Sequence, residues 1–220
     1  VTIGSLSLSN GTGSSANYTL GSATLDITQK SLTISGSKVY DGTNVIQGSN
    51  FSTFSGIVSG ETLSMTGSGT VASSDINYSG SSVALNSTGN LALGNGSNGG
   101  LAQNYTLSGG SHNLTISQRP LDISGTKVYD GNTVGEVAEL SLTNSSGGST
   151  GLVDGDSDGT FETLTLGGSS VTIGNKDVAN SPTTITNAAS RLTKSNGSNG
   201  GLANNYTFSG GTHAFTVTTK

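Results

Sequence analysis

Asp154-Gly-Asp156-Ser-Asp158-Gly-Thr-Phe-Glu162 is the densest run of chemistry-bearing side chains in the sequence. Oxygen ligands at positions 1, 3 and 5, Gly159 at position 6 and a carboxylate at position 9 follow the first part of a calcium loop. Position 12 is Thr165, where a bidentate Glu is expected, and no helical period flanks the loop. Asp154, Asp156, Asp158 and Glu162 are the candidate metal ligands, and Ca²⁺ is the one cofactor the sequence suggests. The competing account is a solvated acidic turn.

Two lysines raise a different chemistry. Lys38 and Lys127 share strand parity with Leu32-Ile34 and Leu121-Ile123. A buried lysine on a first strand, beside an asparagine on a last strand and a carboxylate, is the arrangement of a Lys–Asn isopeptide cross-link. Asn104 and Asn205 are the candidate partners. A bulge at Gly36 or Gly125 that turns each lysine outward is the simpler account. The neighbouring Tyr40-Asp41-Gly42 and Tyr129-Asp130-Gly131 read as turns. Asp accepts from backbone amides, Gly takes positive φ, and Tyr covers the core with its hydroxyl at the rim. His112 and His213 hold matching places too far apart to share a task. With no cysteine and no triad spacing, the sequence is not that of an enzyme.

These residues recur because the sequence repeats. Lys30-Ser-Leu-Thr-Ile-Ser-Gly-Ser-Lys-Val-Tyr-Asp-Gly42 returns as Arg119-Pro-Leu-Asp-Ile-Ser-Gly-Thr-Lys-Val-Tyr-Asp-Gly131, an offset of 89. The block Asn95-Gly-Ser-Asn-Gly-Gly-Leu-Ala-Gln-Asn-Tyr-Thr106 returns at Asn196 with an offset of 101. Tandem similarity at this period means two copies of one small domain. The boundaries fall at 30–117 and 118–220. Residues 1–29 carry a partial copy, Ala16-Asn-Tyr-Thr-Leu20 and Leu25-Asp-Ile-Thr-Gln29, read as the end of a preceding repeat whose apolar positions (Leu6, Leu8, Tyr18, Leu20, Leu25, Ile27) form strands or pair with a neighbour. Aligned on Gly56 and Gly151, the second copy is longer by Ser157–Glu162 and by six residues between Tyr129 and Gly151.

Apolar residues alternate with period two. Leu114 and Ile116 alternate with Asn113, Thr115 and Ser117, and Phe215 and Val217 alternate with Thr216 and Thr218. This is the pattern of half-buried strands, punctuated by Gly-rich turns, with no helical stretch of ten residues. It predicts an all-β fold of tandem Ig-like antiparallel β-sandwich domains, about seven strands each. Leu32, Ile34, Leu107 and Ile116 form one predicted core; Leu121, Ile123, Phe208 and Val217 form the other. The tight join at Ser117-Gln118-Arg119-Pro120 predicts an extended rod. Charged residues are 10% of the chain and the net charge is −5. No basic stripe exists for nucleic acid, and no apolar run is long enough for a membrane-spanning helix.

Lys-Val-Tyr-Asp-Gly early in a domain, a central Val-x-Gly-[Asp/Glu] turn, then Asn-Tyr-Thr-[Leu/Phe] before a closing strand together resemble the YDG repeat. That family occurs in tandem in large secreted bacterial exoproteins resembling filamentous haemagglutinin-type adhesins. The resemblance implies an extracellular or cell-surface location, no catalytic residues, and a structural stalk that projects an adhesive end of the same polypeptide. Its partners would be neighbouring repeats of the same polypeptide or filament, with cell-surface or matrix contacts. A self-associating subunit of an extracellular filament or biofilm matrix is the alternative, and a carbohydrate-binding module the second alternative.

Overall fold

The computed structural model describes residues 7–21, 24–76, 90–145 and 148–220, together with the backbone of 82–87. Among the described residues each repeat contributes ten short strands. Repeat 1 holds β1 (Lys30–Ser31), β2 (Thr33–Val39), β3 (Val45–Gln47), β4 (Phe51–Ser55), β5 (Leu63–Thr66), β6 (Ser68–Val71), β7 (Ser82–Ser87), β8 (Ala92–Asn95), β9 (Tyr105–Thr106) and β10 (His112–Ser117). Repeat 2 matches it strand for strand: β11 (Arg119–Pro120), β12 (Ile123–Val128), β13 (Val134–Gly135), β14 (Leu140–Leu142), β15 (Leu164–Gly168), β16 (Val171–Thr172), β17 (Thr183–Thr184), β18 (Leu192–Asn196), β19 (Tyr206–Thr207) and β20 (His213–Thr218). The longest helix among the described residues is one α turn, Ala188–Arg191. The fold is all-β.

The alternation read from sequence sets the faces. In β12 the odd positions Ile123, Gly125 and Lys127 are buried and the even ones exposed, as a pleated strand requires. Seven of the eight predicted core residues are buried; Leu107 is partly buried, packed against the cluster. One apolar cluster includes buried residues of both repeats, among them Ile34, Tyr40, Phe215 and Tyr206.

The strands form several small sheets, and their pairing is mixed rather than antiparallel throughout. The last strand of each repeat lies parallel to the second: His112 pairs with Ile34 through to Ser117 with Val39, and His213–Thr218 pair with Ile123–Val128. The two-residue strands that open each repeat are also parallel to β9 and β19. Period-two alternation specifies a strand and its faces but carries no direction of pairing. The parallel pairing leaves β2 and β10 ending together, so Tyr40 follows on one and the repeat join follows on the other.

The strands expected before Lys30 are absent among the described residues, and Leu6 lies outside them. Leu25 is 66% and Ile27 91% exposed, whereas their counterparts Leu114 and Ile116 are at 0%. Those counterparts sit on β10, held between β2 and β7. Residues 24–29 join no ladder among the described residues, and the same residue types are exposed there.

The repeated Asn-Gly-Ser-Asn-Gly-Gly segment has a packing role. Ser97 and Ser198 each donate a backbone N–H to a threonine hydroxyl, Thr62 and Thr163, at 2.6 and 2.7 Å. A methyl on Gly100 would lie 1.9 Å from the Thr62 carbonyl oxygen, and one on Gly201 2.0 Å from that of Thr163. Backbone meets backbone here, and only glycine leaves room. Gly201→Ala is therefore expected to destabilise repeat 2 by about 2 kcal/mol, the order of an overpacked site. Thermal melting against the parent chain checks it; an unchanged midpoint would show that the loop can lift away freely.

Candidate functional site: the junction between repeats

A buried hydrogen-bond network lies where the repeats meet. Gln118 alone separates β10 from β11. Its side chain donates to the carbonyls of Asn204 and Tyr206, both at 2.9 Å. This fixes the chain as it enters repeat 2.

Tyr40, from the first Tyr-Asp-Gly turn, reaches into repeat 2. It is 2% exposed. Its hydroxyl donates to Glu162 Oε1 at 2.6 Å, and its ring meets that of Tyr206 edge-on, centroids 5.5 Å apart. Tyr206 is the tyrosine of the second Asn-Tyr-Thr block. Its hydroxyl donates to Glu162 Oε2 at 2.8 Å and accepts the Val153 amide. One carboxylate thus takes a tyrosine from each repeat. Arg119 donates to the Tyr40 carbonyl, and to Gly151, Gly148 and Thr150 carbonyls within repeat 2. Asn205, fully buried, receives the Ile76 amide and donates to Asp75 Oδ1 at 2.7 Å. Gly42, at φ +77°, presses on Gly155: a methyl there would come within 2.5 Å of the Gly155 Cα.

Burial shapes the electrostatics. Loss of water, then the bond to Glu162, raises the Tyr40 hydroxyl well above an ordinary tyrosine. Tyr206 is raised chiefly by burial. Glu162 is also raised, because the cost of burying its charge outweighs the two tyrosine bonds that favour it. Arg119 is lowered by burial.

The two Tyr-Asp-Gly turns are held from below by the lysines. Lys38 Nζ donates to the carbonyls of Thr43 and Val45 at 2.9 and 2.8 Å and pairs with Asp41 at 2.7 Å. Lys127 Nζ does the same to Asn132, Val134 and Asp130. Asp41 and Asp130 each also accept the amide two residues on. Gly131, like Gly42, has positive φ. A bulge does occur between Ser35 and Gly36 against β4, yet both lysines point inward, 8% and 6% exposed. The lysines and asparagines named for a cross-link are thus engaged with different groups: Lys127 with its own turn, Asn205 with Asp75 and Ile76. The Asn104 amide closes the tight turn before β9 on the Leu101 carbonyl. His112 and His213 each bond a backbone carbonyl, of Leu107 and Leu121.

Of the four carboxylates read as calcium ligands, Asp154, Asp156 and Asp158 converge, with ligand atoms within 4.8 Å of one another. Glu162 is turned away into the junction, both oxygens occupied by tyrosines. Thr165, at the twelfth position, lies in β15 paired with Ser195. The loop also closes on itself: Asp154 accepts from Gly159 N, Asp156 from Asp158 N and Asp158 from Thr160 N. These turns engage Asp154 Oδ2, Asp156 Oδ1 and Asp158 Oδ1 and leave Asp154 Oδ1 buried without a partner; if the loop is a solvated turn, the melting profile is expected to be the same in millimolar calcium and in chelator. A rise confined to repeat 2 would instead assign the three aspartates as ligands, its size following RT ln(1 + [L]/Kd).

Sequence reading missed the pairing of Glu61 with Glu162. Glu61 takes the Tyr105 hydroxyl as Glu162 takes that of Tyr206. Glu61-Thr62-Leu63 recurs as Glu162-Thr163-Leu164 at the same offset of 101 as the Asn-Tyr-Thr block. Aligning outward from Gly56 and Gly151 set Asp156 opposite Glu61 and hid it. The bonds Asn98–Gly60 and Asn199–Phe161 place the inserted residues at 155–160.

Residues 26–113 match the YDG domain; the stretch runs from just before β1 to the start of β10. No curated protein matches the chain, and no solved structure does. No helix among the described residues is long and apolar enough to cross a membrane.

Proposed function

We propose that the chain is stalk material of an extracellular bacterial adhesin, in which Ig-like repeats are locked end to end into a stiff rod. The observation that carries this reading is Glu162, which binds Tyr40 of one repeat and Tyr206 of the next beside a one-residue join. Flexible tandem domains are separated by polar linkers that few contacts cross. Here the contacts include a shared apolar cluster and buried polar groups that lose their partners if the repeats part. A polar, nearly uncharged surface of Ser, Thr, Asn and Gly suits a spacer rather than a catalyst or a nucleic-acid binder.

Residual dipolar couplings test the reading. A rigid junction makes both repeats fit one alignment tensor, with equal magnitude and rhombicity. Two tensors of different magnitude would mean independent tumbling and would overturn the stalk.

A further inference from the structure

Two residues, Ser59 and Gly60, join Val58 to Glu61; eight, residues 154–161, join Val153 to Glu162. The ends of the two segments correspond. Tyr105 and Tyr206 accept the amides of Val58 and Val153, and each donates its hydroxyl to the glutamate that follows. Repeat 1 closes this turn without the six extra residues, so the fold itself does not require them. What the longer segment adds is three carboxylates and a contact with the other repeat.

Asp154, Asp156 and Asp158 each accept one loop amide, and their ligand atoms lie within 4.8 Å of one another. None of the three forms an ion pair among the described residues. Like charges this close repel unless a cation stands between them. Asp154 supplies a second, independent sign: its Oδ1 is shielded from solvent and has no hydrogen-bond partner. The Gly159 amide goes to Oδ2, so the shielded oxygen keeps its full capacity to accept. A carboxylate oxygen buried in this way is costly unless something positive meets it. Asp156 and Asp158 also border a cavity of about 540 Å³ between the repeats, shared with Asp75 and Glu162 and lined by no lysine or arginine among the described residues. Calcium takes oxygen ligands at about 2.3–2.6 Å, so two of them stand at most about 5.2 Å apart. The cluster fits around one such ion.

We propose that Asp154, Asp156 and Asp158 bind one calcium ion, Asp154 through its buried Oδ1, and that the ion braces the inserted loop against repeat 1. Gly155 lies between the first two ligands, and a methyl there would come within 2.8 Å of the Gly42 Cα. Three protein ligands leave the remaining positions to water, which places the affinity at the weak end for calcium loops, Kd on the order of 10⁻⁴–10⁻³ M. Magnesium demands near-ideal octahedral geometry and dehydrates reluctantly, so it binds this open loop more weakly. The site goes beyond the stalk reading and does not depend on it.

The test titrates the full chain with calcium chloride to about 10 mM, roughly ten times the upper Kd, at constant ionic strength so that screening does not vary. Amide chemical shifts are the readout. A saturable shift of residues 154–160 and of Gly42 is expected, with one Kd in the stated range, while Gly60 in the shorter turn of repeat 1 stays still. Asp154→Asn and Asp156→Asn each remove a charged ligand and are each expected to weaken binding about tenfold or more. Asp156 is exposed, so its variant tests the site even if the change at Asp154 disturbs folding. The absence of a saturable shift overturns the site, as do equal shifts with magnesium chloride or an Asp156→Asn chain that binds like the parent. Loop shifts that leave Gly42 unmoved overturn the brace.

Discussion

Replacing Glu162 by alanine is expected to cost roughly 3 kcal/mol and to free the two repeats from one another. Hydrogen bonds to a charged group contribute about 1.5–3 kcal/mol each, and buried partners left behind add a desolvation cost. Glu162→Ala strands two buried tyrosine hydroxyls, one per repeat. Glu162→Gln is expected to be much milder, because its amide can accept from one hydroxyl and donate to the other. Glu61→Ala should cost less than Glu162→Ala, since Glu61 holds a single tyrosine at a half-buried face. The pH dependence follows from the raised pKa of Glu162. The native state holds the proton more tightly than the unfolded chain, so stability falls as pH rises from the ordinary carboxylate value through the raised native one. Above that window the junction carries the cost of the buried charge, and Glu162→Gln should flatten the profile. Urea unfolding across this range, with loss of the common alignment tensor in the alanine variant, measures both effects. A Glu162→Ala chain as stable and as rigid as the parent would remove Glu162 from the junction's energetics.

Much of this was legible in the residues and some was not, for physical reasons. The alternation of Leu114, Ile116, Phe215 and Val217 placed the last strands and their buried faces, because side-chain period is a local property. Direction of pairing is not local, so the parallel seating of β10 on β2 and β20 on β12 left no trace in the pattern. The Tyr-Asp-Gly turns were visible as turns, yet the Tyr40 hydroxyl lies buried on the following repeat rather than at the rim. Its partner, Glu162, lies 122 residues away, and contacts at that separation need the fold. Glu162 drew notice as the ninth position of a metal loop because it follows three aspartates by insertion, while its structural twin was Glu61. The Asp75–Asn205 bond spans 130 residues and no spacing announces it. Residues 24–29 show the converse: Leu25 and Ile27 repeat the sequence of a buried strand and remain in water, because burial belongs to the sheet and not to the strand.

Lys127→Met is expected to cost roughly 3–5 kcal/mol, the range for removing one member of a buried charged network. Lys127 is 6% exposed, and its ammonium meets the Asn132 and Val134 carbonyls, the Asn132 side chain and Asp130. Methionine fills the same volume and supplies no donor, so the turn loses the group that ties it to β12. Arginine keeps the charge but replaces a compact three-donor head with a planar fork, and the closely spaced carbonyls do not match it; rescue by arginine should be poor. The bond from Lys127 holds the Asp130 carboxyl below its ordinary range. The linkage sign is opposite to that of Glu162. The stability Asp130 gains is present above the unfolded value near 3.8 and is lost as pH falls through the lower native value. Lys127→Met should erase that acid-side loss along with the stability itself. The equivalent change at Lys38 should destabilise repeat 1 and, because Tyr40 follows on the same turn, loosen the junction as well. Lys127→Met should leave the junction intact, since Tyr129 is not part of it. Comparing the two variants by melting and by shared alignment separates the support of a turn from the support of the joint. If Lys38→Met left both repeats in one alignment, the tyrosine would be held by Glu162 alone, and the lysine would serve only its own loop.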